Sequence, residues 1–388
     1  MQYPTKPFFY HPELDVLRFF AFLAVFFHHA LPGEAGYYIR AGVWPTATDW
    51  LLTMKGAGAY GVDLFFVLSS YLITELLLRE HASTGRFNIP AFYLRRALRI
   101  WPLYFMFLAA TVFLIPSILP NERFAPIYAV SFAFFVGNWV CASYGLPFSV
   151  ASPLWSISVE EQFYIGWPLL LRLFGINHIK ILALLLLAIA FGTRVFMAVN
   201  GFEHPAVWCN TLARLDPIAI GAALAVFLRG RTPQLSNVRR ILLGGVAITG
   251  FLLVARFFKQ DGPTSIASYF VTASAGVLLL VAFLRAEAPM LRVAPFSWLV
   301  YLGRISYGLY VFHLLALALV TQLILVPQLG VKFSFEGRLI VSFLLTVALA
   351  AVSYRWLEQP FLKLKRRFSY SSERNSVKAP DRVVTATG

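Results

Sequence analysis

Cysteine is nearly absent: the chain has two, Cys141 and Cys209, in 388 residues, and neither sits in a metal-ligand spacing. A metal site is therefore not expected. Charge is scarce as well, since Asp, Glu, Lys and Arg make up 13% of the chain where soluble domains carry about 25%. Acidic residues are the scarcer half, 18 against 33 Lys and Arg, leaving a net charge of +15. That surplus gathers at the ends of apolar segments and forms no compact basic domain, so no nucleic-acid partner is indicated. No tandem repeat is visible. The first apolar run lacks a small-residue cleavage site and carries Arg18 inside it, so it reads as a retained span and not as a cleaved signal.

What is present is apolar side chain, 59% of the residues, with a mean hydropathy of +0.70. Long apolar segments lie near residues 14–31, 57–79, 100–119, 124–142, 155–174, 178–198, 212–229, 239–258, 265–285, 302–325 and 337–357. The positive-inside rule places five basic clusters in the cytoplasm. They are Arg79, Arg86, Arg95, Arg96 and Arg99; Arg172 with Lys180; Arg229, Arg231, Arg239 and Arg240; Arg285, Arg292 and Arg304; and Lys363, Lys365, Arg366 and Arg367. Eleven crossings cannot satisfy all five. The third segment leaves the cytoplasm after Arg99 and the fifth returns at Arg172, so the fourth starts and ends outside. The expectation is an all-α polytopic membrane helix bundle of about ten transmembrane helices, both termini cytoplasmic. Residues 124–142 form a re-entrant or interfacial helix that helps line the site. Residues 1–368 make one membrane-embedded domain, and 369–388 a disordered cytoplasmic tail.

Ionisable groups inside these segments need a reason, because each costs about 2.5–3.5 kcal/mol on insertion scales. Arg18 and His29 are eleven residues apart, which on a helix returns to within about 20° of the same face and climbs about 16 Å. One face then carries a fixed cation toward the cytoplasm and, toward the outside, an imidazole suited to proton transfer. Asp63, Glu160, Glu161, Arg214 and Asp216 belong to the outer half by the same topology, and Arg95, Arg96 and Arg99 to the inner half. Arg96 and Arg99 share a face and read either as topology signals or as a clamp for a phosphate-bearing donor. Asp63 either pairs with an arginine such as Arg214 or orients His29. Glu160 is an acceptor-binding group, a base or a helix-start carboxylate. His313 is expected to pack or hydrogen-bond within its span, and Ser69 to make an interhelical contact or serve as a nucleophile. If the topology holds, Cys141 and Cys209 both face outward, where a disulfide is chemically open to them.

Seven stretches together, from about Leu14 to Phe361, resemble the acyltransferase-3 family of bacterial integral-membrane acyltransferases. They are LDVLRFFAFLAVFFHH, with its arginine, ten residues and histidine, then GVDLFFVLSSYLIT, FYLRRALRIWPLY, SPLWSISVEEQFY, ARLDPIAIGAALA, ISYGLYVFH and LEQPF. The resemblance implies transfer of an acyl group, most often acetyl, from cytoplasmic acyl-CoA to a hydroxyl of a cell-surface polysaccharide, lipopolysaccharide or lipid-linked glycan precursor in the bacterial inner membrane. It ties Arg18 and His29 to activity and matches Arg96, Arg99 and Glu160 to the family's arginine and acidic motifs. One departure stands out: the family's Ser-Gly-Phe is Ser69, Ser70 and Tyr71 here, which bears on tunnel width or acyl size at that level. The soluble esterase-like domain that some members append has no counterpart in this sequence, so a second transfer step by the same polypeptide is not expected.

The roles expected follow from both readings. His29, Arg18, Asp63 and Glu160 are the candidate catalytic residues, with His29 as general base or as carrier of the acyl group. Arg95, Arg96, Arg99 and Ser69 hold acetyl-CoA as donor, while Glu161, Arg214 and Asp216 bind the glycan acceptor. A small secreted acceptor, or a transporter of a lipid-linked sugar or anion, are the alternatives.

Overall fold

In an apolar solvent a helix satisfies its own N–H and C=O groups, so long runs of Leu, Phe, Ala and Val fold as helices. The computed structural model describes residues 11–284, 297–325, 334–365 and 368. The expected tail, 369–388, lies outside the described residues, as do Arg285, Arg292, Arg366 and Arg367. Among the described residues, extended pairing is limited to one bridge between Arg123 and Phe148.

The helices in order are α1 (Pro12–Ala30), α2 (Ala35–Arg40), α3 (Pro45–Ala59), α4 (Gly61–Thr84), α5 (Ile89–Phe113) and α6 (Ile115–Ile118). Then come α7 (Pro126–Ala133), α8 (Gly137–Tyr144), α9 (Leu154–Phe174), α10 (Ile179–Val199), α11 (Ala206–Cys209) and α12 (Asp216–Leu228). The chain closes with α13 (Asn237–Phe257), α14 (Gly262–Phe283), α15 (Ser297–Arg304), α16 (Ser306–Leu325), α17 (Phe335–Ser353), a π-turn (Tyr354–Glu358) and α18 (Gln359–Lys365). Starts are marked in sequence: Asn88 caps α5 by accepting from the Ala91 N–H at 3.2 Å, and Ser334 caps α17 by accepting from Gly337 at 3.2 Å.

Six helical stretches among the described residues are long and apolar enough to cross a membrane, and the pair α15–α16, bent by 74° at its break, makes a seventh. The difference from the ten spans expected of the sequence lies in three helices. α12 is short, at 13 residues. α1 and α9 fall below the measure because they carry Glu13, Asp15 and Arg18 in one case and Glu160, Glu161 and Gln162 in the other. Two of the three helices thus fall short because of polar groups, Arg18 and Glu160 of the site among them.

The segment 124–142 is two short helices, α7 and α8, and not one. Neither has the length to span, and the break falls at Phe135, which sits at φ 56° in the left-handed region. A closed ring of side chains pins this pair to the bundle. Gln162 donates to Asn138 Oδ1 at 2.8 Å, Asn138 donates to Thr211 Oγ1 at 2.8 Å, and Thr211 donates to Gln162 Oε1 at 2.6 Å. The helices themselves line none of the cavities described below; their flanking loops do. This corrects the expectation that the segment lines the site directly.

Association of helices in lipid relies on close packing, which small residues permit. α4 packs on α12 where a Cβ at Gly221 would lie 2.1 Å from Ser70 Oγ, and Ser70 donates to the carbonyls of Val67 and Pro217. The glycine missing at position 70 is supplied from the partner helix, and Ser70 faces that helix. α15 crosses α1 so tightly that a Cβ at Gly303 would lie 1.9 Å from the Asp15 carbonyl. α1 is also held by α3, α4 and α16, with Arg18 and His29 toward its two ends.

Candidate active site

Arg18 emerges near the start of α1 because Asp15, one turn earlier, accepts from its guanidinium at 3.1 Å. It lines a cavity of about 300 Å³ together with Arg96, Arg99, Arg304, Lys365 and Tyr307, with Asp15 and Glu358 on the wall. Five basic side chains from α1, α5, α15 and α18 therefore converge on one opening. Guanidinium forks there suit phosphate oxygens bidentately.

Arg18, Arg96, Arg99 and Tyr307 also line a narrower space of about 90 Å³ that continues into the bundle past Ser69, Glu160, Tyr164 and Tyr310. Glu160 accepts from Ser69 at 2.8 Å and from Tyr164 at 2.9 Å, so both carboxylate oxygens are engaged. Tyr310 shares a hydrogen bond of 2.7 Å with Ser156, and its ring stands 5.6 Å from that of His313.

His29 ends the helix that Arg18 begins, and its ring is exposed to a third cavity of about 530 Å³. α16 and α17 form one wall with Leu314, Leu317 and Arg338, and the loops around Glu122 and Phe148 form the other. Those loops are held together because Val150 N–H donates to both oxygens of Glu122, at 3.1 and 3.0 Å, and Arg123 N–H donates to the Phe148 carbonyl at 3.0 Å. Nδ1 of His29 lies 3.0 Å from the Val25 carbonyl and 3.2 Å from Nε2 of His313. Two cavities entered from opposite ends of α1 are thus separated by Tyr310, His313 and His29.

Several expected site residues stand elsewhere. Asp63 accepts from Arg214 at 3.1 Å, both side chains fully buried, and does not bond His29. Arg214 lies 4.2 Å from the Trp208 ring centroid and 4.5 Å from that of Tyr269, an aromatic box that holds a desolvated cation. Asp216 takes both terminal nitrogens of Arg194. Neither Arg214 nor Asp216 lines the three cavities; each is buried in an ion pair, Arg214 with Asp63 and Asp216 with Arg194. Glu161 turns away from Glu160 and accepts from Trp101 at 3.2 Å, behind the cavity wall. Arg95 bonds Glu80 at 2.8 Å and the Phe368 carbonyl at 3.0 Å, which ties α5 to α4 and leaves it outside the cavity that Arg96 and Arg99 line. Cys141 and Cys209 are buried free thiols.

Other residues enter unannounced. Tyr310 and His313 share ISYGLYVFH at a spacing of three, which puts them on one helix face, a signal legible in sequence once His29 is chosen. Arg304 and Lys365 read in sequence as topology markers, and Arg338 carried no signal at all.

A family model described as an acyltransferase domain matches residues 11–355. The peptidoglycan O-acetyltransferase OatA of Listeria monocytogenes is 28% identical over 91% of this chain and 56% of its own length. The O-acetyltransferase OatA of Staphylococcus aureus strain NCTC 8325 is 26% identical over 91% of this chain and 57% of its own. A putative O-acetyltransferase of Staphylococcus aureus strain MSSA476 is 27% identical over 91% of this chain and 58% of its own. The chain therefore spans a little over half the length of these relatives. No solved structure matches it.

Proposed function

The chain belongs to this acyltransferase family, and from that premise we propose that it is a membrane-bound O-acetyltransferase of a bacterial inner membrane, acting on a hydroxyl of a cell-surface polysaccharide. Acetyl-CoA is the donor and enters from the arginine end. Its phosphates engage Arg96, Arg99, Arg304 and Lys365, and its acyl arm runs past Glu160 and Tyr310 toward His29. The acceptor glycan, or its lipid-linked precursor, occupies the opposite cavity. Peptidoglycan is the first acceptor to try, since that is what the Listeria relative is named for.

The observation that carries this reading is the contact chain through the partition. Tyr310 lines the donor channel, its ring abuts His313, and His313 bonds His29, which faces the acceptor cavity. In the reaction His29 removes the proton of the acceptor hydroxyl. The hydroxyl oxygen bonds the acetyl carbonyl carbon, the carbon–sulfur bond breaks, and the proton passes to the CoA sulfur. Arg18, at the inner end of the same helix, positions the donor.

The test is release of CoA from radiolabelled acetyl-CoA by the purified full chain in nanodiscs, with and without peptidoglycan fragments or other surface glycans. Release that requires a glycan, and label recovered on that glycan as an ester, is the expected result. Absence of both donor binding and CoA release with every glycan tried contradicts the assignment and turns attention to transport.

A further inference from the structure

A carbonyl oxygen only accepts hydrogen bonds, so a ring nitrogen that faces one must carry the proton. His313 Nδ1 lies 2.6 Å from the Tyr310 carbonyl, one turn earlier in α16. His313 therefore carries its proton on Nδ1, and its Nε2, in the neutral ring, holds a lone pair. That lone pair points at His29 Nδ1, 3.2 Å away. His29 Nδ1 also faces the Val25 carbonyl at 3.0 Å. With acceptors on both sides, His29 Nδ1 must carry the proton and share it between them.

From this geometry we infer that His313 is a positioning residue for His29: with the Val25 carbonyl it holds the tautomer in which His29 Nε2 is bare, and it orients the ring and accepts from Nδ1–H as charge develops. That inference rests on the proposed transfer reaction. The ring edge opposite Nδ1 carries Nε2, and His29 is the ring that opens onto the acceptor cavity. In the other tautomer Nε2 would hold a proton and could not take one from a hydroxyl.

The same contact serves the charged state. Once Nε2 has gained the acceptor's proton, the ring is an imidazolium, and His313 Nε2 accepts from its Nδ1–H as the charge develops. A carboxylate does this in the serine-protease triad. Here the carboxylate that the sequence offered for this role, Asp63, is committed to Arg214, and a neutral imidazole takes its place. His313 is itself anchored on its other faces, fully buried with its ring edge-on to Phe22 at 6.3 Å, so its own orientation is fixed by packing.

The experiment combines ring nitrogen spectra with turnover. The full chain is prepared with ¹⁵N-labelled histidine, with His29→Gln used to assign the His29 signals, and compared with His313→Gln and His313→Leu. Gel filtration and detergent melting verify folding of each variant. Wild type is expected to show His29 protonated at Nδ1 and bare at Nε2. In His313→Leu the Val25 carbonyl still accepts from Nδ1–H, so the tautomer persists, but the ring loses its second anchor and the acceptor of its developing charge, and kcat falls roughly tenfold to a hundredfold, as for loss of one hydrogen bond to a charged group. The KM for acetyl-CoA is unchanged. His313→Gln, whose amide oxygen accepts from Nδ1–H, retains the wild-type tautomer and most of the turnover. A wild-type His29 bare at Nδ1, a folded His313→Leu with wild-type kcat, or a His313→Gln no more active than His313→Leu, overturns the inference. Absence of turnover in the wild type would instead count against the transfer reaction, and the ring spectra would still decide the tautomer.

Discussion

Arg214 donates to Asp63 at 3.1 Å with neither side chain exposed, and this pair links α4 to the start of α12. A buried ion pair contributes little net stability, but breaking one side strands the other as an unpaired charge, at a cost of about 3–5 kcal/mol. Asp63→Ala is therefore expected to lower the Tm of the detergent-solubilised protein sharply and to reduce its amount in membranes. Fluorescence-monitored melting checks this. A variant that melts like wild type yet transfers no acetyl group would return Asp63 to the reaction.

The arginines of FYLRRALRIWPLY divide by role. Arg96 and Arg99 line the cavity proposed for the donor, whereas Arg95 is spent on Glu80 and Phe368. A hydrogen bond to a charged group is worth about 1.5–3 kcal/mol, so Arg99→Ala is expected to raise the KM for acetyl-CoA roughly tenfold to a hundredfold, with the melting curve unmoved. Arg95→Ala should do the reverse: destabilise, with donor affinity kept in the folded fraction. Steady-state kinetics beside melting curves separates the two.

Adjacent carboxylates are predicted to differ as well. Glu160 borders the channel proposed for the donor's acyl arm, with Ser69 and Tyr164, while Glu161 faces Trp101 behind the wall. Glu160→Gln keeps the shape but weakens two charge-assisted bonds, and is expected to cut turnover. Glu161→Gln should leave kcat and KM near wild type. Equal loss of turnover in both variants would show that the channel does not follow the wall described here.

Gly303 tests how α1 is seated. Any side chain there meets the Asp15 carbonyl, and a backbone atom cannot move aside as a flexible side chain can. Gly303→Val is expected to push α15 off α1, disturb the Asp15–Arg18 pair and abolish accumulation of folded protein. The readout is recovery of a monodisperse peak in gel filtration.

The all-helical bundle was legible in the sequence because apolar run length is a direct physical requirement of the membrane. The shared face of Arg18 and His29 was legible for the same kind of reason, helix periodicity. What periodicity does not encode is which buried charge meets which. Asp63, Arg214, Asp216 and Arg194 are all costly to bury alone, so all four announce a partner, and only packing shows that they partner one another and not the substrate. His313 was hidden by the converse: its hydrogen bond to its own helix was foreseen, but that bond is also what turns its second nitrogen toward His29. The broken α7–α8 pair escaped because a left-handed Phe135 leaves no compositional mark.

The most direct measurement is transfer from radiolabelled acetyl-CoA to a glycan hydroxyl by wild type and by His29→Ala, with donor binding recorded on the same samples. His29 lines the cavity proposed for the acceptor, and the basic cluster lies at the other end of α1. The account predicts that His29→Ala binds acetyl-CoA as wild type does and transfers nothing. Full transfer by a folded His29→Ala would contradict it.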